Sequence, residues 1–233
     1  AESSIARESD QTYPIFAGVE IGVASTKAFT CQLTVLLSLA LKAARDRGTM
    51  SAEELSEAAT AMRSLPGLLN VALEQTDPIK RHAKKLAEAR DILFLGRGLM
   101  YPLAHEGALK LKEISYIHAE AYASGELKHG PIALIDKKVP VVVLAPSDDL
   151  YDKSISNMQE VMARSGKVLL VSDRQGLEHA GDVWGQITMP ECHSLISPII
   201  YSIPAQLLAY HTAVAKGTDV DQPRNLAKSV TVE

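Results

Sequence analysis

The stretch Ile92-Leu93-Phe94-Leu95-Gly96-Arg97-Gly98 decides the fold, because it joins an apolar strand to a glycine turn. A long helix is predicted after this turn, from about Pro102 to Ile117. A second apolar run, Val141-Val142-Val143-Leu144, shows no polar alternation, which is typical of a parallel strand covered by helices on both faces. The sequence therefore predicts a doubly wound parallel sheet in a three-layer αβα domain, with ligands beyond the carboxyl ends of the strands.

The segments around this unit continue the alternation of helix and strand. Helices are predicted for Pro78 to Ala89, Ile155 to Ser165 and Pro198 to Ala215, and strands for Val139 to Leu144, Val168 to Val171 and Ile187 to Met189. Between the long helix and the next strand, the residues up to His129 and Gly130 are predicted to form a mixed loop. The strand and helix segments together make one α/β unit.

Three helical segments are predicted before this unit. Ser25 or Thr26 is expected to cap a helix that ends at Gly48, and its apolar stretch from Leu33 to Ala44 is interpreted as a buried helix of a soluble protein. Ser51-Ala52-Glu53-Glu54 is a capping-box pattern for a second helix, which is predicted to run to about Arg63. Pro66-Gly67 is expected to break the chain before a third helical stretch to Glu74.

Composition and charge exclude several classes of protein. The net charge is −4 and the basic residues are dispersed, which gives no electrostatic footprint for nucleic acid. No apolar run approaches the roughly 20 residues that cross a bilayer, so no membrane segment is expected. Cys31 and Cys192 stand far apart without metal-ligand spacing, and we expect no metal and a reducing, cytoplasmic location.

The predicted long helix carries the most informative polar pattern. Glu106, Lys110 and Glu113 are spaced i, i+4, i+7, so they fall within roughly 60° of one another around the helix. This stripe is either an exposed ladder of ion pairs or an acid–base site beside the ligand edge of the sheet. A glutamate whose proton affinity is tuned by a neighbouring lysine suits proton transfer next to a carbonyl.

Three other places offer chemistry, and each has a plainer interpretation. His129 follows the helix in a loop, where it is either catalytic or merely structural. Gly22 to Lys27 places hydroxyls and amides at a helix start, which is either an anion site or ordinary capping. The irregular segment from Asp219 to Glu233 is either an appendage or a strap that brings Lys228 to a pocket, where a lysine suits Schiff-base chemistry.

These same segments resemble the glucosamine-6-phosphate synthase family of glutamine–fructose-6-phosphate amidotransferases. The resemblance is carried by three strings, which lie at 20–30 (EIGVASTKAFT), 106–136 (EGALKLKEISYIHAEAYASGELKHGPIALID) and 219–233 (DVDQPRNLAKSVTVE). A match of some thirty residues is far more specific than a short motif, and together the strings span nearly the whole chain.

The resemblance implies a flavodoxin-like fold of the sugar-isomerase (SIS) type, preceded by the remnant of a second such domain. Residues 1–50 would be the last part of the first SIS domain and 51–80 a helical connector. Residues 81–218 would form the second SIS domain, and 219–233 a tail that carries the lysine. The family's Ser/Thr-rich phosphate loop and its glutaminase domain are expected upstream of Ala1, so we expect this chain alone to have little activity.

The resemblance also implies residue roles in converting fructose 6-phosphate and ammonia to glucosamine 6-phosphate, the first step of hexosamine and UDP-GlcNAc synthesis. Lys228 would form a Schiff base with the C2 ketone, and Glu113 would move a proton between C1 and C2. Lys110 would be the electrostatic partner of Glu113, with Glu106 nearby. His129 would help to open the sugar ring from the other subunit of a homodimer. The sugar would be held by Val23, Ala24, Ser25 and Ala227.

No cofactor and no metal are implied, and ammonia is the amino donor. The sequence leaves two other interpretations open. A non-catalytic SIS-type module that binds a sugar phosphate would need no acid–base set and no lysine able to form an imine. An inert fragment could fold only as an interaction module.

Overall fold

The computed structural model describes residues 3–229, which form eight α-helices and five β-strands. The helices are α1 (Ser4–Glu8), α2 (Lys27–Arg47), α3 (Ala52–Leu73), α4 (Thr76–Leu86), α5 (Met100–Ser115), α6 (Tyr151–Met162), α7 (Arg174–His179) and α8 (Ser197–Lys216). The strands are β1 (Asp91–Gly96), β2 (His118–Ala123), β3 (Pro140–Leu144), β4 (Lys167–Asp173) and β5 (Gly185–Met189). Short 3₁₀ helices lie at Ser124–His129, Pro131–Leu134 and Ser194–Ile196.

The five strands form one parallel sheet in the order β2-β1-β3-β4-β5. In β1, Phe94 lies opposite Ala121 of β2 and Val142 of β3. Parallel neighbours require crossover connections, and helices α5, α6 and α7 provide three of them. This strand order is the flavodoxin-like form of the doubly wound fold, so the predicted fold class is confirmed.

Alternate side chains of the inner strands β1, β3 and β4 enter two separate hydrophobic cores, one on each face of the sheet. Phe94 packs on one face with buried residues of α3, α4, α5 and α8. Leu93 and Leu95 point to the other face, where they meet α6 and the 3₁₀ segment that contains Leu127. The sheet is therefore the middle of three layers, as the unbroken apolar strands predict.

The mixed loop predicted between the long helix and His129 is wrong in part. Its first half is β2, His118–Ala123, an edge strand that pairs with β1 along its full length. The segment is rich in alanine and has no β-branched residue, so its own strand propensity is weak. Pairing with β1 and the burial of Ala119 and Ala121 stabilise it as a strand.

The predicted break at Pro66-Gly67 is also wrong, because α3 runs without interruption from Ala52 to Leu73. Its start is as predicted: the Ser51 side chain accepts from the Glu54 amide, and the Glu54 side chain accepts from the Ser51 amide. Buried positions with heptad spacing lie on both sides of the proline, at Ala58, Leu65 and Ala72. This common buried face holds the helix together despite the hydrogen bond that proline removes.

The helix predicted around Leu33 to Ala44 exists as α2, but the prediction that it is buried is wrong. None of its residues is buried, and Leu36 is 60% exposed. One side, with Phe29, Leu33 and Leu37, packs against the main core, where α2 contacts α3 and α8. By length and composition alone, α2 is also long and apolar enough to cross a bilayer, a test that core helices of soluble proteins pass as well. It ends as predicted at Gly48, which adopts a left-handed conformation.

Candidate active site

The polar stripe of α5 is a compact, largely buried charge cluster. The Lys110 ammonium lies 2.5 Å from Glu113 Oε2 and 3.8 Å from Glu106 Oε1. The three side chains are 6% (Lys110), 21% (Glu113) and 13% (Glu106) exposed. An exposed ladder of ion pairs would leave these groups in water. The three charged groups are instead shielded from solvent, which is the arrangement that acid–base chemistry favours.

The two carboxylates of this cluster lie in different environments. Burial raises the pKa of Glu106; the Lys110 ammonium lowers it and the Glu113 carboxylate raises it again, with a net upward shift. Glu113 instead has a close ion pair with Lys110 and greater access to solvent. Glu106 therefore binds a proton more readily than an ordinary glutamate, and it lies beside Glu113, which is held close to the Lys110 ammonium group.

The start of α2 is capped by a residue that sequence reasoning did not select. Thr26 is the N-cap, but neither Ser25 nor Thr26 makes the predicted side-chain cap. Glu20 Oε1 accepts hydrogen bonds from the Thr26 amide at 2.8 Å and the Ala28 amide at 3.3 Å. Of the two alternatives for this helix start, an anion site or ordinary capping, the structure shows capping, by a carboxylate of the chain itself, as the helix dipole favours.

Lys228 reaches the same carboxylate, 208 residues away in sequence. Its Nζ lies 3.0 Å from Glu20 Oε2. Burial raises the pKa of Glu20, but the Thr26 amide, the Lys228 ammonium and the Ala28 amide outweigh this effect and lower the pKa to about 2. Glu20 is therefore ionised at neutral pH, and its role is to hold Lys228 rather than to move protons.

The rest of the carboxyl-terminal segment is anchored on either side of this ion pair. The Thr218 hydroxyl donates to the Ile114 carbonyl at 2.6 Å, at the end of α5. The Val23 amide donates to the Asp221 carbonyl at 2.9 Å. The Arg224 guanidinium lies 4.2 Å from the centre of the Tyr116 ring, and the Arg224 amide donates to the Tyr116 hydroxyl. Residues 218–229 therefore form a strap across the end of α5; residues 230–233 of the predicted tail lie outside the described part of the chain.

A cavity of about 380 Å³ lies between this strap and α5. Lys110 and Glu20 line it, together with Ala24 and Asp221. Neither Glu113 nor Lys228 lines the cavity; each is bound to a residue that does. The two proposed reacting groups therefore flank one cavity through their ion-pair partners.

The structure does not bring His129 into this cluster. It lies at the end of the 3₁₀ segment after β2, its side chain is 71% exposed, and Nδ1 is 2.8 Å from Glu126 Oε2. Among the predicted sugar-binding residues, Ala24 lines the cavity and Val23 contacts the strap. Ser25 lies between them and α2, and Ala227 is exposed beside Lys228.

Glu20 and Asp221 are the site residues that sequence reasoning missed. Both lie within the strings that carry the family resemblance, but nothing in their local pattern marks a partner. Glu20 is followed by Ile21 and lies well before the N-cap Thr26, so the local pattern identifies neither its capping role nor the lysine it binds. Across the described residues 3–229, no group of three or more His, Cys, Asp or Glu side chains is arranged to hold a metal.

Replacing Glu20 by Gln is expected to loosen the strap while leaving the sheet intact. The amide keeps one acceptor for the Thr26 and Ala28 amides but loses the charge that holds Lys228. We expect amide exchange of residues 218–229 to rise about fivefold, which corresponds to about 1 kcal/mol for such an ion pair. Hydrogen–deuterium exchange followed by mass spectrometry measures this.

The control for Glu20→Gln is Glu178→Gln, which removes the exposed Arg174–Glu178 pair on α7. Because the folded pKa of Glu20 lies below the usual 4.5, its contribution is complete above pH 4.5 and is lost as the pH falls toward 2. In the unaltered protein, the exchange rate of the strap amides relative to their intrinsic rate at each pH should therefore rise only in that acidic range. Equal strap exchange in both variants would contradict the anchoring role.

The strand order, the cavity at the end of α5 and the lysine-bearing strap define a class: a doubly wound α/β domain with a cavity flanked by buried charges. The SIS domain family matches residues 85–216, more than half of the chain. This chain belongs to the SIS domain family.

Two further comparisons narrow the resemblance. The chain is 62% identical over 232 residues to the glutamine–fructose-6-phosphate aminotransferase (isomerizing) of Zymomonas mobilis, covering 99% of the chain and 38% of that protein. It superimposes with a TM-score of 0.92 and 47% identity on the C-terminal domain of glucosamine-fructose-6-phosphate aminotransferase from Francisella tularensis, covering 94% of this chain and 62% of that one. The chain therefore corresponds to the C-terminal part of such proteins and spans well under half of the curated relative.

A more distant structural likeness is also named for a phosphorylated amino sugar. Glucosamine-6-phosphate deaminase from Thermotoga maritima superimposes with a TM-score of 0.73 and 27% identity, over 99% of this chain and 64% of that one. The fold is thus shared by proteins named for making and for removing an amino group on a phosphorylated hexose.

Proposed function

We propose that this chain is the isomerase part of an enzyme that converts fructose 6-phosphate and ammonia to glucosamine 6-phosphate. The observation that carries the proposal is the cavity flanked by the α5 charge cluster and by the strap that holds Lys228. The names of the similar proteins support the substrate class. Glutamine hydrolysis would belong to other parts of a longer protein.

In the proposed reaction, Lys228 is the nucleophile. Its amine, released from Glu20 and deprotonated, attacks the C2 carbonyl of the open-chain ketose and forms an imine with loss of water. Ammonia then replaces the lysine, which gives the fructosimine and restores the free amine. Holding Lys228 at Glu20 before the reaction places the nucleophile beside the cavity, which lowers the entropy lost on reaching the carbonyl.

Glu113 is the base that moves the proton. It takes a proton from C1 of the fructosimine and returns one to C2, which converts the ketose imine to the aldose amine. The Lys110 ammonium stabilises the carboxylate of Glu113, and Glu106 is the second carboxyl of the cluster. A module that only binds a sugar phosphate has no use for this buried acid–base set, so we favour an enzyme.

The remaining residues would serve in substrate binding and in subunit assembly. Backbone groups of Val23 and Ala227, with Ala24 and Ser25, would contact the sugar at the strap. Because His129 lies away from the cavity, it would act from the partner subunit of a homodimer to open the sugar ring. The reaction needs no cofactor, and we propose a cytoplasmic enzyme.

Borohydride trapping tests the proposal. A full-length enzyme that carries this chain is incubated with fructose 6-phosphate and reduced, which converts an imine to a stable secondary amine. Mass spectrometry should find the hexitol phosphate on Lys228, and Lys228→Arg should abolish the adduct. The control Lys216→Arg changes an exposed lysine at the end of α8 and should leave the adduct unchanged. An adduct on another lysine, or none, contradicts the proposal.

A further inference from the structure

Tyr116 ends α5 in a conformation that glycine usually provides. Its φ of 60° and ψ of 15° are left-handed, and its amide donates to the Lys112 carbonyl of the last turn. Among the described residues, α2 and α8 also end in left-handed residues, and both of these are glycines, Gly48 and Gly217. A Cβ makes this conformation costly, so a bulky residue at the end of α5 points to a role for its side chain.

The side chain of Tyr116 holds one residue of the strap, Arg224, by two different contacts. Its hydroxyl accepts a hydrogen bond from the Arg224 amide at 2.9 Å, and the Arg224 guanidinium lies over its ring, 4.2 Å from the ring centre. One contact fixes the backbone of the strap and the other fixes a side chain. Tyr116 is half-buried whereas Arg224 is exposed, so the tyrosine belongs to the packed domain and the strap docks on it.

This contact lies close in sequence to both groups that the proposed reaction needs. Tyr116 follows Glu113 by three residues at the end of the same helix, and Arg224 precedes Lys228 by four. The end of α5 therefore sets the distance from the base to the point where the strap docks. Four residues of extended chain reach at most about 14 Å, so docking at Arg224 confines the backbone of Lys228 to the region around the end of α5.

The other contact that holds Lys228 has to break before the reaction proceeds. The amine leaves Glu20 when it attacks the carbonyl, so that ion pair does not position the lysine during imine formation. Going back along the described part of the strap, the next hydrogen bond to the rest of the domain is at Asp221, whose carbonyl accepts from the Val23 amide. Without Tyr116 the free tether to Lys228 would therefore lengthen from four residues to seven, and the amine would meet the sugar less often.

We propose that Tyr116 is a positioning residue for Lys228 and that it acts through Arg224. The role rests on the proposed function, in which Lys228 forms the imine. Tyr116 does not line the cavity that contains Lys110, so it acts on the approach of the amine rather than on the binding of the sugar. A glycine at the same position would relieve the backbone but would offer the strap no docking surface.

The rate of imine formation tests this role in a full-length enzyme that carries this chain. Samples incubated with fructose 6-phosphate are reduced with borohydride at successive times, and mass spectrometry measures the adduct on Lys228. Tyr116→Phe keeps the ring but removes the acceptor of the Arg224 amide, and should slow adduct formation about fivefold, the value of one hydrogen bond. Tyr116→Leu removes both contacts and should slow it at least about tenfold.

A double-mutant cycle separates the contact with the guanidinium from other effects. Arg224→Gln should slow adduct formation about threefold when Tyr116 is present, because the cation over the ring is lost. In the Tyr116→Leu background the same change should have little effect, since there is no ring for the guanidinium to contact. Equal effects of Arg224→Gln in both backgrounds would contradict the role of the stacked pair.

Sugar binding and folding are measured in the same variants. A hexitol 6-phosphate has no carbonyl to react, and its dissociation constant, measured by calorimetry, should change less than about twofold in Tyr116→Phe and Tyr116→Leu. The unfolding midpoint of Tyr116→Phe should shift by less than about 4 °C. The matched control Tyr101→Phe removes a hydroxyl from the first turn of the same helix, about 22 Å away, and should leave adduct formation unchanged.

The failure of the positioning role and the failure of the proposed function give different results. If the unaltered enzyme forms no adduct on Lys228, the proposed function is overturned. If the adduct forms on Lys228 equally fast in Tyr116→Leu, the positioning role alone is overturned. Hexitol phosphate binding that weakens in parallel with slower adduct formation would also overturn it, because Tyr116 would then act on the cavity.

Discussion

Replacing Glu113 by Gln is expected to lower C1–C2 proton exchange by at least about a hundredfold, the usual contribution of a positioned base. The substitution keeps the volume of the side chain and an oxygen that can accept from Lys110, but it removes the proton acceptor. Binding of fructose 6-phosphate should change little, because the carboxylate flanks the cavity rather than lining it. Deuterium incorporation at the sugar, followed by NMR in deuterated water, measures the exchange.

The control for Glu113→Gln is Lys112→Gln, which removes an exposed charge from the same helix. Exchange should stay at the level of the unaltered enzyme in this control. Both variants are placed in a full-length enzyme that carries this chain. If the Glu113 variant exchanged C1 and C2 protons normally, Glu113 would not be the base, and the function of the α5 stripe would have to be sought elsewhere.

Replacing Gly96 by Ala is expected to destabilise the protein by more than about 4 kcal/mol or to prevent folding. An added Cβ would lie 2.1 Å from the Met100 carbonyl oxygen, 2.4 Å from the Met100 carbonyl carbon and 2.8 Å from the Tyr101 amide nitrogen. These are backbone atoms of the first turn of α5, so they move only if the whole helix shifts from β1. The same shift would displace the charge cluster of α5.

Gly67→Ala is the matched control for this effect. Gly67 lies inside α3 and an added Cβ meets nothing within 4 Å. Because alanine loses less backbone entropy than glycine in a helix, this variant should gain about 0.5–1 kcal/mol. Urea unfolding of both variants gives the free energies. Stability of Gly96→Ala near that of the unaltered protein would show that α5 is not packed against β1 in this way.

The parallel sheet could be predicted because its buried strands are nearly pure apolar runs. The apolar run from Val141 to Leu144 predicts a strand covered on both faces without any information about neighbouring segments. The edge strand β2 could not, since His118–Ala123 becomes a strand only through pairing with β1. The continuity of α3 through Pro66 depends in the same way on packing, which a local pattern does not contain.

The candidate site, like the fold, could be predicted only where local spacing determines it. The spacing of Glu106, Lys110 and Glu113 places them together because a helix fixes their angles, and the structure shows them in contact. The pairing of Lys228 with Glu20 joins residues 208 positions apart, and no periodicity relates them. The prediction that Ser25 or Thr26 caps α2 failed for this reason: a long-range fold places a stronger acceptor, the Glu20 carboxylate, at the helix start.

A crystal structure of the full-length enzyme with fructose 6-phosphate is the most direct test of how the strap and α5 share one substrate. We expect an open-chain sugar in the cavity of Lys110 and Glu20, with the Lys228 amine turned from Glu20 to C2. The Glu113 carboxylate should then lie about 3 Å from C1 or C2, within reach for proton transfer. A sugar phosphate bound elsewhere, with Lys228 still on Glu20 and Glu113 far from the sugar, would show that the strap and α5 do not act on one substrate.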